Sequence, residues 1–300
     1  MTDALLVLVV LGFAGVLPVG ALLAGSLPQQ VPEGGKVYKD IEYAKPDGKP
    51  QLLDLFVPEK AGGPLPLVIW VHGGCWSMGN KQWQPIPALS MTAHGYAVAT
   101  INYRLSGEAK WPAQIHDCKA AVRFLRAHAR DYHLDPERFG AWGSSAGGHL
   151  VAMLGTAGGV KELEGDLGNP GVSSRVQAVC DWFGPSDFLT IGKFPSNIKH
   201  DSADGPEGKL FGKPIHENEA MAKQASPTTY ITKDDPPFLV MHGDKDMTVP
   251  YSQSEELAAA LKKAGVWVKF ITVPGGGHGM GPAQTPPVYE FFDEKLKGKR

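Results

Sequence analysis

Ser145 sits in the run Gly143-Ser144-Ser145-Ala146-Gly147. This matches G-x-S-x-G, whose glycines let a strand turn sharply into a helix and leave the central serine projecting. A serine hydroxyl is a weak nucleophile until a base takes its proton, and the base must itself be oriented. Ser144 is the competing hydroxyl, and the register of the pattern excludes it. His278, in the glycine loop Gly275-Gly276-Gly277-His278-Gly279, is the candidate base. His149, His242, His94, His116, His128 and His133 fall on or beside elements where an imidazole serves packing or a turn. Between serine and base the chain offers His242-Gly243-Asp244-Lys245-Asp246. Asp246 is the first choice for the orienting carboxylate and Asp244 the second. Whichever does not face the imidazole would cap the turn.

A further loop, His72-Gly73-Gly74-Cys75-Trp76, follows an apolar run. Its glycines let backbone N–H groups approach an oxygen on which charge develops. Together with the N–H of Ala146, at the positive end of the following helix, it would make a two- or three-donor hole. His72 is expected to hold this loop rather than do chemistry. Trp76 reads either as a pocket wall or as a cover for the core.

Elements that alternate along the chain must bring these groups together. Segments 36–43 and 51–58 alternate in and out across a Pro-Asp-Gly turn, which is a hairpin signal. Segments 66–74, 97–105, 138–145, 175–185, 236–246 and 266–279 are apolar runs of strand length, giving eight candidate strands. Helical spacing marks 115–129, the run after Ser145, 252–265 and 288–296. Strands alternating with helices predict an α/β fold with a mostly parallel sheet and helices on both faces. The segment 186–230 breaks the rhythm, with a short helical piece near 216–224. It reads as a small cap over the site or as a surface excursion.

These motifs resemble the α/β-hydrolase superfamily over essentially the whole chain after residue 36. HGGCW, GSSAGG, HGDKDMTVP and GGGHG are similar to the HGG-type serine esterases, the group of hormone-sensitive-lipase-like, acetylxylan and feruloyl esterases. The resemblance implies Ser145, Asp246 and His278 as a triad, with Gly74, Cys75 and Ala146 as oxyanion donors. The loop departs from H-G-G-G at Cys75, which leaves the backbone N–H in place and adds a bulkier side chain. The segment Asp181–Asp187 resembles a substrate-facing loop, with Trp182 and Phe183 as pocket walls or core anchors. The activity implied is carboxylic-ester hydrolysis on short-chain or aryl esters, including carbohydrate-linked acetyl or feruloyl esters. HGGxW also occurs in kynurenine-formamidase-like enzymes, so an amidase or peptidase of that or the prolyl-oligopeptidase kind is the alternative. A non-catalytic binding protein of the same fold is a third reading.

Composition sets the outer bounds. The chain has 300 residues, 43% hydrophobic and 20% charged, with a formal charge of −2. These values exclude a disordered or collagen-like chain and argue against a nucleic-acid binder. No Walker loop or dinucleotide fingerprint is present, the spacing at Asp201 and Asp204 is not that of an EF-hand, and the cysteines have no zinc spacing. No cofactor or metal is therefore implied. Residues 4–25 carry no charge. Residues 1–26 read first as an export signal, then as a retained membrane anchor, then as a core helix, with 27–36 as linker and 37–300 as the catalytic domain. Export would place the protein outside the cytoplasm, where Cys118–Cys180 is the preferred bridge and three free thiols the alternative.

Overall fold

The computed structural model describes residues 35–59, 62–83 and 86–298. The segment 1–26, and the linker through residue 34, lie outside the described residues. No helix among the described residues is long and apolar enough to cross a membrane.

Strand β3, Leu65–Val71, explains the architecture best, because all seven of its residues are buried. A strand buried on both faces needs cover on both sides. Leu67, Ile69 and Val71 enter one core and Val68 and Trp70 the other. The remaining strands are β1 Lys36–Ala44, β2 Gln51–Val57, β4 Ala97–Ile101, β5 Leu134–Ser144, β6 Ala178–Trp182, β7 Phe238–Gly243 and β8 Val268–Val273. They form one eight-stranded sheet in the order β1-β2-β4-β3-β5-β6-β7-β8. The β1–β2 and β2–β4 pairs are antiparallel, and β4–β3 through β7–β8 are parallel. The Pro46-Asp47-Gly48 turn closes the first hairpin, with Asp47 and Gly48 both at positive φ. Strand β8 is an edge: it pairs only with β7, and none of its residues is fully buried.

The helices are α1 Ile86–Leu89, α2 Ala113–Ala127, α3 Ala146–Thr156, α4 Lys161–Glu164, α5 Pro206–Phe211, α6 Glu219–Ala225, α7 Ser252–Ala264 and α8 Pro286–Lys297. Ile115 of α2, Leu150 of α3 and Leu257 of α7 fill one core. Leu89 of α1 and Val288 and Phe292 of α8 fill the other. The fold is the doubly covered α/β sheet that the spacing predicts. The segment 186–230 carries α5, α6 and three short 3₁₀ turns. Helix α5 has no counterpart in the sequence reading.

One expectation needs correction. Cys118 and Cys180 are not bridged, and all three cysteines are free thiols. Cys118 lies mid-helix in α2 within one core, whereas Cys180 lies mid-strand in β6 within the other, so the sheet separates them. Arg104 and Asp117 form a second anchor near the site, an ion pair whose carboxylate is buried. Asp117 is fully buried and takes Arg104 through Nε and Nη2, both at 2.9 Å, plus the backbone N–H of Arg104 at 2.8 Å. A bidentate, buried pair fixes the end of β4 far more firmly than a surface contact.

Candidate active site

Every element of the site hangs from the carboxyl ends of the parallel strands, where ligands bind in open α/β sheets. Ser145 follows β5 with φ 55° and ψ −122°. Its N–H donates to the Trp182 carbonyl at 2.9 Å, and its carbonyl accepts from His149 N–H at 3.0 Å. The turn closes only because its neighbours are glycines. A Cβ on Gly143 would lie 2.3 Å from the Gly147 carbonyl oxygen, and one on Gly147 would lie 2.0 Å from that of Val71. Seven non-glycine residues among those described have positive φ, and four of them, Cys75, Trp76, Ser145 and Phe183, surround this site. Such strain persists where the surrounding structure holds it, as at functional sites.

The hydroxyl, imidazole and carboxylate named from sequence meet. His278 Nε2 is 2.9 Å from Ser145 Oγ, and its Nδ1 is 2.6 Å from Asp246 Oδ2. Asp246 is buried, which alone would raise its pKa. Hydrogen bonds from His242 and His278, the charge on His278 and the Thr248 N–H outweigh burial and hold the carboxyl well below the usual range. Its Oδ1 takes the N–H groups of Thr248 at 2.7 Å and Val249 at 3.0 Å. Asp244 does not face the imidazole. It accepts the Gly275 N–H at 2.7 Å and caps the loop. His242 adds a contact that the motif does not announce: its Nε2 lies 3.0 Å from Asp246 Oδ2 and 3.1 Å from the Val249 carbonyl, with Nδ1 on Ser254 Oγ at 2.8 Å.

The His72–Trp76 loop flanks the serine. His72 is buried, stacks on Tyr103, and donates from Nδ1 to the Gly73 carbonyl at 2.7 Å. Tyr103 Oη donates to the His72 carbonyl at 3.0 Å. His72 therefore holds the loop, as expected. A Cβ on Gly74 would sit 2.2 Å from the Met78 carbonyl oxygen, so only glycine fits there. Among the described residues no acceptor takes the N–H of Gly74, Cys75 or Ala146, which leaves them free for a ligand oxygen. Trp76 is 2% exposed, and its indole N–H donates to His149 Nδ1 at 3.1 Å. His149 Nε2 donates to the Ala225 carbonyl at 2.7 Å. Trp76 is thus chiefly a core anchor that ties the loop to α3.

Two cavities open at Ser145. The larger, about 520 Å³, is lined by Trp70, Met78, Trp83, Trp182, Phe183 and Met280 as well as the serine and His278. Trp182 and Phe183 are wall and anchor at once, since both are nearly buried in the second core. The smaller, about 20 Å³, is lined by Ala146, Cys75, Trp76 and residues of the segment 186–230. That segment therefore forms one wall of the site. Burial, then the charge of Glu207, pushes the Cys75 thiol up. Asp181 is not substrate-facing: it is buried, its Oδ1 accepts the Gly184 N–H at 2.9 Å, and burial raises its carboxyl to about 7 against that bond. Among the described residues no cluster of three or more His, Cys, Asp or Glu side chains is placed to hold a metal.

A hydroxyl–imidazole–carboxylate chain beside free N–H donors is the arrangement that acyl transfer requires. The sequence matches the BD-FAE family model over residues 53–261, a span that takes in the HGGCW loop, the serine turn and Asp246. The chain belongs to the BD-FAE family. Its relatives include Esterase LipQ of Mycobacterium tuberculosis, 33% identical over 250 residues, 82% of this chain and 58% of that protein. This BD-FAE member thus spans little more than half the length of that curated relative. Among solved structures, a truncated form of a carbohydrate esterase from gut microbiota superposes with a TM-score of 0.80 at 36% identity, covering 87% of this chain and 96% of that one. An acetyl ester-xyloside bifunctional hydrolase from Caldicellulosiruptor lactoaceticus gives 0.67 at 26% identity, covering 83% and 87%. The BD-FAE member is an HGG-type chain of the α/β-hydrolase superfamily, as its motifs implied.

Proposed function

We propose that this protein hydrolyses carboxylic esters through an acyl-enzyme on Ser145. The observation that carries the reading is His278 bridging Ser145 Oγ at 2.9 Å and Asp246 Oδ2 at 2.6 Å. His278 takes the hydroxyl proton as Ser145 attacks the ester carbonyl. Asp246 keeps the proton on Nδ1, so that Nε2 is the base, and stabilises the imidazolium. The N–H groups of Gly74, Cys75 and Ala146 receive the oxyanion, each donor lowering the barrier by about 3 kcal/mol. His278 then protonates the leaving alcohol and activates the water that releases the acid.

The names of its relatives favour esters over amides. The about 20 Å³ recess supports a short acyl group, and the about 520 Å³ cavity, walled by indoles, supports a bulky leaving group such as a sugar. Acetyl or similarly small acyl esters on carbohydrate are the proposed substrates, in line with the carbohydrate esterase and acetyl ester-xyloside hydrolase neighbours. The uncharged stretch 4–25 supports export or membrane attachment, which cell fractionation checks.

An acyl-chain series of p-nitrophenyl esters on the wild type and Ser145→Ala tests the reading. Turnover is expected to fall by at least about 10⁴-fold in the variant, with fluorophosphonate labelling of the wild type alone. Equal rates in the two proteins would overturn it.

A further inference from the structure

Ser144 is the hydroxyl of the serine turn that the triad does not use. It is 5% exposed, it lines the larger cavity, and its Oγ has no hydrogen-bond partner among the described residues. Strand register fixes the face to which it points. Ser144 stands opposite Trp182 of β6, as Trp142 stands opposite Cys180 two residues earlier. Side chains alternate along a strand, so Ser144 shares the face of Trp142 and Trp182. Those two indoles belong to the second core with Trp70, and Trp70 and Trp182 line the larger cavity. Ser144 therefore sends its hydroxyl to the indole-walled side of the sheet, at the foot of that cavity. The indole nitrogens of Trp142 and Trp182 are sealed and unpaired, whereas the Ser144 oxygen is open to the cavity. It also lies beside the nucleophile. A Cβ on Gly73 would be 3.5 Å from Ser144 Oγ and 3.3 Å from Ser145 Cβ.

Binding cavities are mostly apolar, and a few placed polar groups fix the orientation of what enters. The indoles offer a ring-shaped slot without a register, and a hydroxyl that both donates and accepts supplies one. Its position next to Ser145 suits a group one carbon removed from the scissile oxygen. We propose that Ser144 is a specificity-determining residue that hydrogen-bonds a hydroxyl on the leaving group, on the carbon adjacent to the one bearing the ester. The preferred substrates are then monoesters of vicinal diols, which is the form that a partly acylated sugar presents. The inference rests on Ser145 being the nucleophile and on the larger cavity taking the alcohol. Sites built to hydrogen-bond a substrate group discriminate against analogues that lack it more sharply than apolar pockets distinguish sizes. Thr248 is the other hydroxyl outside the triad in the lining, and it comes from the loop after β7 rather than from the serine turn.

The test compares trans-2-hydroxycyclohexyl acetate, trans-2-fluorocyclohexyl acetate and cyclohexyl acetate by pH-stat, each kcat/KM divided by the ester's hydroxide rate constant. Fluorine withdraws electrons as the hydroxyl does but donates no hydrogen bond. The wild type is expected to favour the hydroxy ester over the fluoro ester by about fivefold or more. In Ser144→Ala this ratio is expected to fall towards one, and in Ser144→Cys, which keeps the volume and weakens the bond, most of the way. An equal loss on all three esters would make Ser144 an oxyanion donor or a strut of the turn and overturn the proposal. So would a preference that survives in Ser144→Ala but disappears in Thr248→Val. A flat wild-type ratio overturns it even if no variant folds. Absence of wild-type turnover on these and on p-nitrophenyl esters would instead sink the esterase reading and this one with it.

Discussion

His242 and His278 donate to the same atom, Oδ2 of Asp246, at 3.0 and 2.6 Å. The carboxylate that orients the reactive imidazole is therefore itself held by a second imidazole from the end of β7. His242→Ala is expected to lower kcat by about 10- to 100-fold with KM little changed, because a small misplacement of the base is costly. His242→Gln keeps an N–H donor and should recover part of the loss. A fall confined to thermal stability would show that His242 supports only the turn.

The two aspartates of the β7 loop should separate cleanly. Asp246→Asn is expected to cut kcat by about 10⁴-fold, since the wrong imidazole tautomer then faces Ser145. Among the described residues the Asp244 carboxylate binds only the Gly275 N–H, so Asp244→Asn should change kcat by no more than about twofold. Steady-state kinetics on both variants settles the assignment.

Burial lowers His72 and His149 from 6.5 to about 4. Trp76 reinforces this at His149, where the indole N–H needs the Nδ1 lone pair. Between those limits the unfolded chain binds protons that the folded one refuses, so stability falls as the pH is lowered. Each imidazole costs up to roughly 3 kcal/mol across that window. Asp246 has a depressed folded value, so its contribution is present above its ordinary 3.8 and is lost on further acidification. Melting temperatures should decline from about pH 6.5 towards pH 4, and the upper part of the slope should flatten in His149→Gln.

Gly147→Ala tests the tightness of the serine turn. The added methyl would lie 2.0 Å from the Val71 oxygen and 2.7 Å from that of His72, both backbone atoms that have little room to yield. A loss of about 1–3 kcal/mol in denaturant unfolding is expected, together with loss of turnover as the oxyanion donors shift. An unperturbed melt would mean that the turn is looser than its contacts indicate.

Much of this site was readable from local chemistry. Glycines 143 and 147 are legible because a sharp strand-to-helix turn tolerates nothing larger. His278 and Asp246 are legible because each follows an apolar run at the point where a parallel strand must end. What escaped depends on contacts between segments without periodicity. His200 and Glu207 lie in 186–230, where neither helical nor strand spacing recurs, and only folding reveals that they pair beside the serine. The Cys118–Cys180 bridge failed for a related reason. Spacing alone does not say to which face of the sheet α2 and β6 send them, and packing puts them on opposite faces. His242 was visible in His-Gly-Asp, though nothing there says that it shares an acceptor with another imidazole.

The partly exposed strand β8 has an operational consequence. The loop carrying His278 is tethered to the outermost rung of the sheet, with β7 on one side only. Outer rungs fray at lower free-energy cost than inner ones. On warming, the general base should drift out of reach while the bulk of the molecule is still intact, so that heat inactivation runs ahead of the calorimetric melt.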